Sequence, residues 1–116
     1  PLLPHQCERL AQRAGLGVAR TGGAGEHSSG DLFIAFATGN RGLATGDGTA
    51  GRSFTRELTA LEDAWISALF WAAIESTEEA IVNALVAADT MDGVDGHVAH
   101  RLPHDRLVEV WRKHRG

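Results

Sequence analysis

The chain of 116 residues is long enough for one modest domain, because single domains cluster at roughly 100 to 150 residues. Apolar residues make up 43 % of it, which is near the globular norm and gives no reason to expect a disordered, collagen-like or disulfide-built protein. Its 15 acidic residues outnumber the 11 basic ones, and a formal charge of −4 has the wrong sign for gathering nucleic-acid phosphates. We therefore expect a single domain over residues 1–116 with no nucleic-acid partner.

The composition also bears on location. Cys7 is the only cysteine, so no intrachain disulfide can form and nothing demands an oxidising compartment. No apolar run approaches the roughly 20 residues that a membrane helix needs, and the first residues lack the pattern of a signal peptide. We expect a cytoplasmic protein with no membrane partner. Since the only methionine is Met91, we also expect the chain to be one piece of a longer protein.

The first third of the chain predicts a helix, a loop and a strand. Pro4 suits the first turn of a helix, and apolar residues follow at three- and four-residue steps to an end near Gly15 or Gly17. Residues 21–31 are rich in glycine and serine and predict a loop. Residues 32–37 form an unbroken apolar run, which is typical of a strand covered on both faces within a layered sandwich.

The middle of the chain predicts a loop and then helix. Residues 39–56 hold five of the 14 glycines and little that could be buried, which indicates a long mobile loop. Apolar spacing predicts helix from about residue 57 to residue 89. Ser76 and Glu79 have the form of a capping box, so two helices that meet near Ser76 and one long helix are both open.

The last part predicts a turn and a terminal helix. Residues 91–96 (MDGVDG) hold two Asp-Gly pairs, which mark a turn. Pro103 then suits the start of a helix whose other face is polar. We expect three apolar residues to lie on the buried side of that helix: Leu107, Val108 and Trp111.

Three histidines near the turn, with three aspartates close by, form a cluster of the kind that holds zinc and related ions. Pro103 interrupts the cluster, so the histidines do not share one helix face, and their spacing matches no established zinc motif. We predict no metal ligands and keep a small metal-binding domain as an alternative. The residues concerned are His97, His100 and His104, with Asp92, Asp95 and Asp105.

A second polar set lies in the glycine-rich loop directly before the predicted strand: Glu26, His27, Ser28, Ser29 and Asp31. Short polar side chains at the mouth of a rigid sheet often support catalysis. An ordinary Ser/Asp turn explains the same residues, and from chemistry alone it is the favoured interpretation. His27 is too close in sequence to act automatically as the base for a neighbouring serine.

Five segments stand in order along nearly the whole chain: PLLPHQCERLAQRAGLGVARTG, SSGDLFIAFATGN, STEEAIVNALVAADTMDG, DGHVAH and LPHDRLVEVWRKH. In their order and in their amino-acid sequences they resemble the P1 family of aminopeptidases. That family includes the L-aminopeptidase/D-esterase enzymes and the β-peptidyl aminopeptidases, and the chain resembles their smaller, C-terminal chain. Only residues 41–71 depart from the family pattern, by loop content and by a run of large apolar residues.

The resemblance implies a precursor that cuts itself, after which the new N-terminal serine of the smaller chain is the nucleophile. Two chains then share one α/β fold, a four-layer α/β/β/α sandwich of the N-terminal-nucleophile type. The implied enzyme is a serine aminopeptidase that acts on peptides, amino-acid amides or esters with no metal or organic cofactor. Its implied partners are the larger N-terminal chain and further copies of the paired chains in an oligomer.

Carried over by position, the family's Ser-x-Asp/Glu pair falls on Ser29 and Asp31, which would assist and orient the nucleophile. In the family that serine uses its own α-amino group as the base and begins a strand about ten residues upstream of the position of Pro1. We therefore expect the nucleophile outside these residues, and this chain to be inactive alone. A non-catalytic relative that serves as an assembly or binding module is the alternative.

Overall fold

The structure is a computed structural model, and it describes residues 1–43 and 55–115. Three helices dominate the described residues, and two short strands, β1 and β2, form an antiparallel pair. The predicted loop 39–56 lies mostly outside the described residues, and its described parts contain no helix or strand. In chain order the elements are α1 (Pro4–Arg20), a 3-10 turn (Asp63–Trp65), α2 (Ile66–Ala87), β1 (Met91–Asp92), a 3-10 turn (Val94–Gly96), β2 (Val98–Ala99) and α3 (His104–His114).

Helix α1 begins where the sequence predicts and ends later. Pro4 occupies its first turn, as expected, but the helix continues through Gly15 and Gly17 to Arg20. The predicted end is wrong because Gly17 serves a tertiary contact. A Cβ atom there would stand 2.7 Å from both the backbone oxygen of Ile74 and the side chain of Thr77. Glycine costs about 1 kcal/mol within a helix, and here the close approach of α2 offsets that cost.

Helix α2 is a single helix, so the one-helix alternative is correct. The capping box at Ser76 is not formed: its hydroxyl donates to the Ala73 carbonyl oxygen at 3.3 Å within the continuing helix. The predicted start near residue 57 is wrong, since residues 55–62 are not helical. The Leu61 N–H instead donates to the carbonyl oxygen of Pro1 at 2.8 Å, which ties this stretch to another part of the chain.

Helices α1 and α2 run parallel and form one layer. The contacts follow the same order along both parts of the chain, from the Gln6 amide of α1 with the Leu61 carbonyl oxygen just before α2 (2.7 Å) to Arg20 of α1 with Glu78 of α2 (2.9 Å). Between these ends, two guanidinium groups of α1 lie over the ring of Phe70, where they cover apolar surface and gain a cation–π attraction. They belong to Arg9 (5.2 Å from the ring centroid) and Arg13 (4.3 Å).

Residues 32–37, which we call the apolar segment, are not a strand in the described chain. The prediction of a strand covered on both faces is wrong here, because no other strand among the described residues pairs with it. Exposure nevertheless alternates along it. Phe33 packs against Gly15 of α1 and is 37 % exposed, whereas Ile34 is 91 % exposed. This period of two is that of a strand with one face on the helices and the other face bare.

The C-terminal elements agree with the predictions except in burial. The Asp-Gly turn is confirmed: Asp95 and Gly96 both have positive φ (58° and 78°) in the loop that joins β1 and β2. Helix α3 begins at His104, directly after Pro103. Its predicted buried side is exposed, since nothing in the described chain covers it. The exposed residues are Leu107 (40 %), Val108 (43 %) and Trp111 (55 %).

The described chain is extended and has little interior. Its radius of gyration is 21.3 Å, whereas a compact domain of this length has about 13 Å. Among the described residues, only Ile66 and Ile74 are apolar and fully buried. None of the helices described is both long enough and apolar enough to cross a membrane. Much apolar surface is therefore left for further protein to cover, and a four-layer sandwich stays a prediction.

The 116-residue chain expressed alone should unfold without a cooperative transition and bind a hydrophobic dye, because its apolar segment and α3 are bare. Thermal unfolding followed by circular dichroism, together with dye fluorescence, measures this. A sharp two-state transition with full helix content would contradict it.

Gly17→Ala should lower the free energy of unfolding by about 1–3 kcal/mol although alanine favours helix, because its Cβ would force α1 and α2 apart. Urea unfolding of the complete precursor, with and without the substitution, measures the change. Gly15→Ala is the matched control, since a Cβ there meets Phe33 at an ordinary 3.5 Å. It should be neutral or stabilising, and an equal loss in both variants would count against a specific contact at Gly17.

Candidate functional site

The turn after α1 begins the candidate site. Thr21 caps the helix, with its N–H and its hydroxyl both donating to the Val18 carbonyl oxygen at 3.1 and 2.8 Å. Gly22 follows with a φ of 99°, and its N–H donates to the Ala19 carbonyl oxygen at 3.1 Å. Glycine suits this position because it has no Cβ to oppose a positive φ. The chain therefore reverses here and leads back along the helix.

The returning loop forms a shallow depression of about 340 Å³ against the end of α1. Within the loop, the Ser29 N–H donates to the Glu26 carbonyl oxygen at 2.8 Å and closes a tight turn. Ser29 and Asp31 both line the depression and are exposed, so the structure brings the two predicted site residues together. The lining consists of Val18, Gly22, Gly23, Ala24, Gly25, Glu26, Ser28, Ser29 and Asp31.

The charge in this depression has one sign. Among the described residues that line it, the charged ones are Glu26 and Asp31, both acidic, and the hydroxyl groups come from Ser28 and Ser29. Carboxylates attract a positively charged group. The depression therefore suits a small cation such as a protonated amine.

The far end of the apolar segment meets the start of the chain. Gly39 lies against Pro1, because a Cβ on Gly39 would overlap the Pro1 Cα. Pro1 in turn accepts the hydrogen bond from Leu61. The amide side chain of Asn40 donates to the Thr59 carbonyl oxygen (2.8 Å) and accepts from the Thr59 N–H (3.0 Å). We call this meeting point, residues 1–3, 39–40 and 59–61, the entry corner.

A buried glutamine that the sequence did not single out holds the entry corner together. Gln6 is 2 % exposed. Its Oε1 accepts from the Leu3 N–H at 2.9 Å, and its Nε2 donates to the Leu61 carbonyl oxygen and to the Asp63 carboxylate, both at 2.7 Å. Asp63 also pairs with Arg9 at 3.5 Å. The available signal was a glutamine at the third helical position, which is where capping boxes place one.

The three histidines of the metal alternative are not brought together. His104 donates from Nε2 to the Val86 carbonyl oxygen at 2.8 Å, and His97 exchanges backbone hydrogen bonds with Gly93 and Val94 within the hairpin. Over residues 1–43 and 55–115, no three His, Cys, Asp or Glu side chains converge as metal ligands would. The geometry of the described chain therefore gives the metal-binding alternative no support.

Comparison with known proteins decides the family. A family model of peptidase family S58 matches residues 1–99. The chain belongs to peptidase family S58. Over 115 residues it is 43 % identical to the β-peptidyl aminopeptidase BapA of Sphingosinicella microcystinivorans, and the match covers 99 % of this chain and 28 % of that protein. The resemblance stated from the sequence is thus confirmed.

Solved structures of two aminopeptidases share the fold of this chain. A β-aminopeptidase from a Burkholderia species superposes with a TM-score of 0.86 at 50 % identity, over 97 % of this chain and 32 % of that one. The L-aminopeptidase D-Ala-esterase/amidase of Ochrobactrum anthropi gives a TM-score of 0.81 at 36 % identity, over 97 % and 31 %. The latter is described as a prototype serine aminopeptidase and a variant of the Ntn hydrolase fold. The chain spans less than a third of each relative.

Proposed function

We propose that this chain is the C-terminal part of a serine aminopeptidase that is made as a precursor, cuts itself and then releases amino-terminal residues from peptides, amides or esters. Membership of family S58 and the aminopeptidase relatives support the activity. The small share of each relative that the chain spans supports a longer precursor. The remaining larger chain would be its partner, and the paired chains would assemble into an oligomer.

The bare face of the apolar segment supports the four-layer sandwich. Its helix-facing side meets α1 through Phe33, and its other side presents three apolar side chains to solvent. Burying each of them would contribute roughly 1.5–3 kcal/mol, so a second sheet packed on this face is strongly favoured. Such packing gives the order helix, sheet, sheet, helix. The three residues are Leu32 (99 % exposed), Ile34 (91 %) and Phe36 (81 %).

The meeting of Pro1 with Gly39 is the observation that carries the proposal. A strand that leads into Pro1 would end beside Gly39, just after the apolar segment ends. Strand, α1 and segment would then form a β-α-β unit, in which the two strands run parallel. Ser29 precedes Gly39 by ten residues. A nucleophile about ten residues upstream of Pro1 would therefore begin its strand near Ser29 and Asp31.

The chemistry of the depression fits that location. A serine hydroxyl is a weak nucleophile until a neighbouring base takes its proton, which in this mechanism is the serine's own α-amino group. The amine becomes positively charged as it accepts that proton. The Asp31 carboxylate would stabilise this charge, and the Ser29 hydroxyl would hold the amine and the attacking oxygen in register. In this proposal neither residue attacks the substrate.

The complete precursor tests the activity. It should separate into two chains, and mass spectrometry should find that the smaller chain begins with serine upstream of Pro1. The cleaved protein should release amine from L-alanyl or β-alanyl amides. A folded, assembled precursor that neither separates nor releases amine from these amides would contradict the proposal and favour the non-catalytic module.

Replacing the two support residues tests the site. Asp31→Asn should lower kcat on the order of 100-fold, because the protonated amine loses its counter-charge. Ser29→Ala should lower kcat by tenfold or more, through lost alignment of the nucleophile. For both variants, kcat is measured as the rate of amide hydrolysis per molecule of folded protein, with the substitution made in the complete precursor.

Ser28→Ala is the matched control, since Ser28 lines the same depression next to Ser29. Its activity should stay within about twofold of the parent. Equal losses at Ser28 and Ser29, or full activity after Asp31→Asn, would exclude the roles proposed for Ser29 and Asp31 while leaving the aminopeptidase activity standing.

A further inference from the structure

We propose that Gln6 is a positioning residue for self-cleavage and hydrolysis. Its buried side chain fixes where the strand that precedes Pro1 lies along the apolar segment. This inference rests on the proposed function. Gln6 lies at the entry corner, whereas the depression with Ser29 and Asp31 lies at the opposite end of α1. Gln6 would therefore act through the strand and would not touch the reacting atoms.

The side chain of Gln6 is fully committed to other groups. Both amide hydrogens are donated and the amide oxygen accepts one hydrogen bond, so a 2 % exposed amide has no polar group left unsatisfied. Burying an amide costs free energy unless such partners are present. An apolar residue of similar size would fill the same space without needing partners. The Gln6 amide therefore fixes the relative orientation of its partners, because each of its three hydrogen bonds requires a particular geometry.

The partners of Gln6 are the groups that fix Pro1. Leu3 belongs to the three residues that lead from Pro1 into α1, and its N–H is held by Gln6. Leu61 uses its carbonyl oxygen for Gln6 and its N–H for Pro1, so one residue links the amide to the start of the chain. Gly39 closes the other side of Pro1. A change at position 6 would consequently shift Pro1 against the apolar segment.

Such a shift would be passed along the incoming strand. A strand rises about 3.3 Å per residue, and a slip of one residue places each side chain on the opposite face. A displacement of about 1 Å at the nucleophile is enough to cost up to 100-fold in rate. Gln6 thereby couples the packing of the entry corner to the alignment of the nucleophile with Ser29 and Asp31.

The test compares Gln6→Met with Gln12→Met in the complete precursor. Methionine keeps the length of the side chain and removes all three hydrogen bonds, and Gln12 is an exposed glutamine of the same helix. In Gln6→Met, the rate of self-cleavage and kcat per active site should fall on the order of tenfold, with KM within about threefold. Gln12→Met should match the parent. Active sites are counted from the burst of the first turnover.

A charge exchange between positions 6 and 63, in which Gln6→Glu is combined with Asp63→Asn, gives a second test. In Gln6→Glu, a carboxylate oxygen replaces the Nε2 donor and faces the Leu61 carbonyl oxygen and the Asp63 carboxylate, so three acceptors meet without a donor. Adding Asp63→Asn restores one donor, and the double variant should recover kcat per site by about threefold or more over Gln6→Glu alone. Asp63→Asn alone should stay near the parent, because its amide oxygen still accepts the hydrogen bond from Gln6 Nε2 and it loses only a half-exposed ion pair with Arg9.

The outcomes separate the two proposals. A purely structural role would reduce the number of active sites and leave kcat per site unchanged in Gln6→Met, which would overturn this inference alone. If Gln6→Met does not fold, the charge exchange decides, and no recovery in the double variant overturns the inference. A folded parent precursor that neither cuts itself nor hydrolyses amides overturns the proposed function, and this inference with it.

Discussion

The parallel contact between α1 and α2 is the constraint on which the rest of the described structure depends. Two helices that run in the same direction cannot be joined by a short turn, so the chain must return along them before the second helix begins. The apolar segment makes that return on their common side. Gly17 lets the two backbones approach at one end, and at the other end Gln6 joins α1 to Leu61, which lies just before α2. Removing the contact would leave the segment with α1 alone to pack on.

This arrangement gives the apolar segment one face that is covered by helix and one face that is exposed. Phe33 lies against the helices, whereas Leu32, Ile34 and Phe36 point away from them and are almost wholly exposed. In the proposed sandwich, a second sheet would cover this face. The radius of gyration and the match to less than a third of each relative agree with that interpretation. The proposed larger chain would therefore complete the interior as well as the active site.

Local signals predicted the elements well, and tertiary contacts account for the errors. Pro4, Pro103 and the Asp-Gly turn marked their elements because each acts through its own backbone. The end of α1 was misplaced because the reason for Gly17 lies on α2, far along the chain. The strand at 32–37 needs a neighbour that the described residues do not supply. At the site, the family resemblance indicated Ser29, whereas chemistry alone favoured the turn that its N–H does form.

In the proposed catalytic arrangement, the entry corner fixes the position of the incoming strand at the end opposite the nucleophile. Hydrogen bonds are useful at the entry corner because they depend on direction. Apolar contacts tolerate sliding, because their free energy depends on buried area and only weakly on direction. A parallel strand pair that slides would exchange the faces of all its side chains and move the nucleophile away from Asp31. Three hydrogen bonds from a buried amide forbid intermediate positions at the entry corner. Gln6 would thus give the strand one register, and the depression around Ser29 would receive the nucleophile in one orientation.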